Sequence, residues 1–131
     1  MIRVSGTFTV PEVVPQPFTP AVRTGLPVGH SLMRKEFRGG IQGWSQTQFV
    51  YAFDPGTNTG GYVALESYSG LVDGHEGCVN IAHAASMVAG AERSHELVVI
   101  VPGSGTGALR GMSGTGSIVI EPDGTHHLVL D

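Results

Sequence analysis

The stretch "VPGSGTGALRGMSGTG" (101–116) decides the fold, because it sets six glycines in sixteen residues between two apolar runs. It reads either as a loop that cradles phosphate or as a corner in an all-β chain. A phosphate loop of the Walker type needs a Lys followed by Ser or Thr, so that an ammonium reaches the phosphates. Here Gly107 is followed by Ala108, Leu109 and Arg110. A dinucleotide fingerprint needs G-x-G-x-x-G between a strand and a helix, whereas Gly103, Gly105 and Gly107 have a different spacing and "MSGTGSIVIEP" reads as strand. The corner reading accounts for more of the residues. Pro102 ends a strand because it cannot donate to a ladder, and the glycines permit positive φ and close backbone passage. Leu109 is suited to plugging one end of a barrel, and Gly111, Gly114 and Gly116 let the following strand bend into closure.

Outward from this corner the chain alternates as strands do. "RVSGTFTV" sets Val4, Gly6, Phe8 and Val10 against Arg3, Ser5, Thr7 and Thr9. In "WSQTQFVYAF", Phe49, Tyr51 and Phe53 share one face, with Gln46, Gln48 and Val50 on the other. "DPGTNTGG" (54–61), Asp73-Gly74 and Asp123-Gly124 are turns by composition. The pattern predicts about eight strands joined by hairpin-length connections, an antiparallel meander closed into a β-barrel to remove its edges. A helix in "HAASMVAGAERSHEL" is the alternative, favoured by its alanines and opposed by Gly90. Residues 11–29 carry five of the eight prolines and predict a long ordered loop across the barrel or its mouth. All 131 residues are expected to form one domain.

Composition excludes several functions. Charged residues make up 14% of the chain and the net charge is −4, with the basic residues scattered, so neither nucleic acid nor an anionic membrane is expected as partner. So little charge leaves a surface suited to self-association, and a homo-oligomer, dimer or trimer, is expected. No basic-then-apolar leader is seen at the start and no apolar run reaches the roughly 18 residues of a spanning helix, which predicts a soluble, cytoplasmic protein. Cys78 is the sole cysteine, so no disulfide forms within one chain, and it is expected to be a buried or half-buried inert thiol.

The residues also carry a resemblance. "VSGTFTV", "KEFRGGIQGWSQTQFVYAF", "YVALESYSGLVDGHEGCVNIAH" and above all "VVIVPGSGTGALRGMSGTG" resemble the small bacterial proteins of the DUF3224 family, grouped with the allene oxide cyclase-like β-barrels. The glycine pattern is also similar to that of dirigent proteins. The resemblance covers most of the chain and fails over the proline segment. It implies an apolar cavity that folds a flexible substrate into a reactive conformer, as in cofactor-independent isomerases and cyclases. Rate would then come from orientation, with one or two polar groups steadying charge.

Chemistry in such a barrel is sought among polar groups on otherwise apolar strand faces. His83 shares its face with Val79, Ile81, Ala85 and Met87, and Glu66 shares its own with Tyr62, Ala64 and Tyr68. Gln48 lies with Val50 and Ala52 on a neighbouring strand, so the three are expected to converge. Glu66 and His83 are the catalytic candidates, as general acid and base, with the carboxylate pKa raised by its apolar neighbours. The competing reading is a structural hydrogen-bonded pair. The resemblance implies Glu where this chain has Gln48, which weakens a two-carboxylate mechanism. Gln48, Trp44, Tyr51, Tyr62 and Tyr68 are the ligand-binding candidates, their aromatic surface suiting an apolar polyene or polyketide-like molecule. The six histidines show no H-x-H or H-x-x-x-H pair, so neither a metal nor another cofactor is expected. A carrier that holds an apolar ligand, as lipocalin-like barrels do, is the alternative to an enzyme. A solid interior would defeat both.

Overall fold

The computed structural model describes residues 3–89 and 91–131, so Gly90, expected to interrupt a helix, lies outside the described residues. Eight strands follow one another: β1 (Val4–Gln16), β2 (Gly29–Gly39), β3 (Ile41–Asp54), β4 (Thr59–Val72), β5 (His75–Met87), β6 (Ser94–Ile100), β7 (Gly116–Ile120) and β8 (His126–Leu130). The sheet order is β6-β5-β4-β3-β2-β1-β8-β7, antiparallel throughout. Its two ends meet where Val99 bridges Thr115 and the Ile100 N–H donates to the Gly114 carbonyl at 2.9 Å. The result is a nearly closed eight-stranded antiparallel barrel, as the alternation predicts.

Among the described residues, the alanine-rich run forms no helix: residues 83–87 end β5, 94–97 open β6, and the connection between them is irregular. Val79, Ile81, His83 and Ala85 are buried at alternate positions of β5, and that burial outweighs the helix propensity of the intervening alanines. The proline segment also departs from expectation. Residues 11–16 are not loop but the second half of β1, and the connection proper is 17–28. Prolines are tolerated here because β8 pairs with β1 only over Val4–Phe8, which leaves the rest of the strand with one neighbour. Pro11 falls in the register shift between Thr9 and Glu12, and Pro15 sits opposite Ser31.

Residues 101–116 close one end of the barrel. Leu109, in a short 3₁₀ turn, is buried in one core cluster with Phe8, Phe37, Ile41, Tyr68, Ile81 and Leu130, which packs this half of the interior. Ser104 and Thr106 complete the ladder of β5 beyond the end of β6. The Asn80 N–H donates to Ser104 Oγ and the Cys78 N–H to Thr106 Oγ1, both at 3.0 Å, and the Thr106 N–H donates to the Cys78 carbonyl at 2.9 Å. Gly105 is required because a Cβ there would overlap the Leu109 carbonyl, and Gly77 because one would strike the Thr106 carbonyl. Ser104, Gly105, Thr106 and Leu109 of the motif thus serve the backbone and the plug.

Candidate functional site

At the other end the barrel stays open. A cavity of about 370 Å³ lies between the upper parts of β3, β4 and β5, walled by Phe49, Tyr51, Phe53, Tyr62, Met87 and Ile120. Its size falls in the range of small-molecule sites, about 300–1,000 Å³. Phe49 stacks on Tyr62 with ring centroids 4.9 Å apart and approaches Tyr51 at 5.4 Å, giving one aromatic wall. Tyr51 in turn lies over Gly29, where a Cβ would meet the ring. Among the described residues, none from 17–28 lines this cavity, so the expected loop across the mouth is not part of it.

Between the open cavity and the solid half runs a band of buried polar groups. Glu66 is 2% exposed and accepts from three donors: Lys35 Nζ at 2.9 Å, Ser45 Oγ at 2.6 Å and His83 Nε2 at 3.1 Å. Lys35, itself buried, also lies over the Phe8 ring at 4.8 Å. Burial alone would raise the Glu66 pKa, but the His83 hydrogen bond, the Lys35 charge and the Ser45 hydrogen bond together bring it down to about 2. Glu66 is therefore ionised at neutral pH, which corrects the raised pKa expected from its apolar neighbours. An ionised carboxylate can only accept, so His83 Nε2 donates to it, and in the neutral imidazole Nδ1 is left to accept from the Tyr62 hydroxyl at 3.2 Å. The Tyr62 oxygen accepts in turn from Arg93 Nη2 at 2.6 Å. Burial raises the Tyr62 pKa, with Arg93 opposing, so the phenol keeps its proton. A continuous series, Glu66–His83–Tyr62–Arg93, thus leads from the barrel centre to the cavity wall. Beside it, Thr47 Oγ1 and Arg93 Nε are buried without a hydrogen-bond partner.

The sequence candidates separate by strand parity and by height along the barrel. Glu66 and His83 meet, as expected of them. Tyr62 and Tyr51 line the cavity. Tyr68 points into the solid half, where its hydroxyl donates to the Leu71 carbonyl at 2.8 Å and burial pushes its pKa up to about 12. Gln48 does not converge with Glu66. It faces outward and pairs with His30 at 2.8 Å, because the inward face of β3 is the one bearing Ser45, Thr47, Phe49 and Tyr51. Trp44 shares that outer face and lies 4.4 Å beneath the Arg34 guanidinium, away from the cavity. Cys78 is exposed, not buried. Lys35, Ser45 and Arg93 were absent from the sequence-derived set, although Ser45 could have been found from its parity with Phe49. Among the described residues, no group of three or more His, Cys, Asp or Glu is placed to hold a metal ion.

An antiparallel barrel closed at one end, with an apolar cavity at the other, defines the class of this protein. Residues 4–131 match the family described as "Protein of unknown function (DUF3224)", and the chain belongs to that family. It is similar to the crystal structure of a DUF3224 protein of unknown function from Shewanella oneidensis MR-1. The two share 29% identity over 99% of this chain and 95% of that one, with a TM-score of 0.84. No curated protein matches the chain. Among the described residues, no helix is long and apolar enough to cross a membrane.

Proposed function

We propose that the barrel binds an apolar small molecule in its open mouth and isomerises or cyclises it without a cofactor. The observation that carries this reading is the contact between an apolar cavity and the end of a buried proton-bearing series, at Tyr62. The walls fold the substrate, and orientation supplies most of the rate. On binding, the Tyr62 hydroxyl turns its proton from His83 Nδ1 to a substrate oxygen and, with the Arg93 guanidinium beside it, steadies the negative charge that develops there. Glu66 and His83 are buried beneath Tyr62 and act through it, so they are positioning residues: the fixed carboxylate holds the imidazole, and the imidazole holds the phenol proton.

Carriage without chemistry is the second reading, favoured by the nearly wholly apolar walls of the cavity. The two are separated by incubating purified protein with metabolite extract and comparing masses consumed and formed with masses retained. Catalysis predicts turnover that falls roughly 100-fold or more in Tyr62→Phe, the size of a general acid's contribution, while retention persists. Retention without turnover in both proteins overturns the isomerase reading, and neither retention nor turnover overturns both.

A further inference from the structure

We propose that the upper part of the β7–β8 hairpin, residues 118–126, is a flap that swings aside to admit ligand to the cavity, and that Glu96 is its latch. This rests on the reading of the cavity as a ligand site. The hairpin is anchored at its lower end. There Val99 bridges Thr115, the Ile100 N–H donates to the Gly114 carbonyl, and Leu128 and Leu130 are buried in the core. Above these anchors the hairpin loses its strand neighbours on both flanks. Among the described residues, no ladder pair joins residues 94–97 of β6 to residues 117–120 of β7. On the other flank, β8 pairs with β1 up to His126 opposite Phe8, and β1 beyond Phe8 pairs only with β2. A groove of about 670 Å³ opens there, lined by Thr9 and Val10 of β1 and by Asp123, Gly124 and Thr125 of the hairpin turn.

Within itself the hairpin is a unit. β7 and β8 pair from Gly116 opposite Leu130 to Ile120 opposite His126. The turn is closed by the Glu121 N–H on the Thr125 carbonyl and the Gly124 N–H on the Glu121 carbonyl, both at 2.9 Å. A segment bonded within itself and unladdered to its neighbours opens as a body, at a cost below that of unfolding the whole barrel. Ile120 belongs to the cavity wall, so moving it outward opens the cavity from the side as well as the top. A side chain crosses the seam where a ladder would run. The Ile118 N–H donates to Glu96 Oε2 at 3.4 Å, a longer and weaker bond than those of a ladder. The same oxygen lies 3.4 Å from Arg93 Nη2, which donates to the Tyr62 oxygen at 2.6 Å. The latch therefore touches the end of the Glu66 series. Opening takes the Ile118 N–H from Glu96 and leaves that carboxylate to Arg93 alone, and closure restores the shared contact beside the bound molecule.

Stopped-flow mixing with a fluorescent conjugated polyene tests this. Leu97→Cys with Ser117→Cys, the next pair up the seam from Val99 and Thr115, is designed to close a disulfide across it in a Cys78→Ser background. Oxidised, this variant is expected to take up the probe at least roughly 10-fold more slowly than when reduced, because entry needs the motion that the bond forbids. Glu96→Ala, which needs no cross-link, is expected to take it up roughly 2- to 10-fold faster than the parent, the worth of one hydrogen bond. Unchanged circular dichroism of each variant shows that the barrel is intact. Equal rates in the oxidised and reduced forms overturn the flap, and equal rates in Glu96→Ala and the parent overturn the latch, while ligand binding stands in both cases. No saturable binding by the parent overturns the ligand reading, and the flap with it.

Discussion

Replacing Glu66 by alanine is expected to cost about 3–5 kcal/mol of folding stability, measured by urea denaturation, because it strands the Lys35 ammonium inside the barrel. The side chains of Lys35 and Glu66 are 6% and 2% exposed and 2.9 Å apart, so neither water nor another carboxylate takes over when the partner goes. The loss goes beyond the ion pair. The Ser45 hydroxyl and His83 Nε2 also lose their acceptor, and each becomes a buried donor without a partner. A double variant, Lys35→Met with Glu66→Leu, is expected to recover much of the loss, since apolar groups of similar size remove the stranded charge along with the pair. A single-variant cost below about 1 kcal/mol, as for exposed ion pairs, would show that water reaches this centre.

The same carboxylate makes the barrel sensitive to acid. Its pKa is about 2 in the folded protein against an ordinary 4.5, so between those values the unfolded chain binds the proton and the folded one does not. The stability contributed is therefore complete above pH 4.5 and is lost as pH falls through about 2. At about 1.4 kcal/mol per pH unit, the loss amounts to roughly 3 kcal/mol. Thermal melts of the parent between neutral and strongly acid pH should follow this curve. In Glu66→Gln, which starts less stable, the same pH range should produce a correspondingly smaller change. Equal acid dependence in both proteins would assign the sensitivity to other carboxylates.

What could be read from the residues, and what could not, divides along a physical line. Properties set by neighbours in sequence were legible. Alternation in β3 marked Phe49, Tyr51 and Phe53 as one face, and the glycine spacing at 103–107 marked a corner and not a phosphate loop. Properties set by register were not. The apolar neighbours of Glu66 along β4 suggest a raised pKa, but Lys35 and Ser45 approach it from β2 and β3, 31 and 21 residues away. Gln48 lies on the outward parity of β3, so strand adjacency alone could not bring it to Glu66. The prolines of 11–16 read as loop because pairing on one side, which tolerates them, depends on where β8 stops. Arg93 comes from the connection between β5 and β6, a segment without alternation to place it. Even in the corner, the glycines announced a tight passage, while the use of Ser104 and Thr106 as ladder acceptors depended on their meeting β5.

These contrasts bear on function. The Glu66 centre is a stabilised ion cluster first, and its link to the cavity is the single phenol of Tyr62. A protein that needed only rigidity could fill the upper barrel as the lower is filled by Leu109, Phe37 and Tyr68; the cavity of about 380 Å³ at the lower end lies beside Leu109 among Asp73, His75 and Arg110 and has no aromatic wall. The upper half instead keeps an aromatic wall facing an open volume, and it is this asymmetry between the two ends that makes ligand binding the central claim. Titration with a fluorescent conjugated polyene tests it most directly, comparing the parent with Ala85→Phe, whose ring would fill the cavity from its wall. Binding that saturates at one probe per chain in the parent, and weakens at least roughly 10-fold in the filled variant at unchanged melting temperature, is the predicted result. No saturable binding, or equal binding by both proteins, would contradict the account.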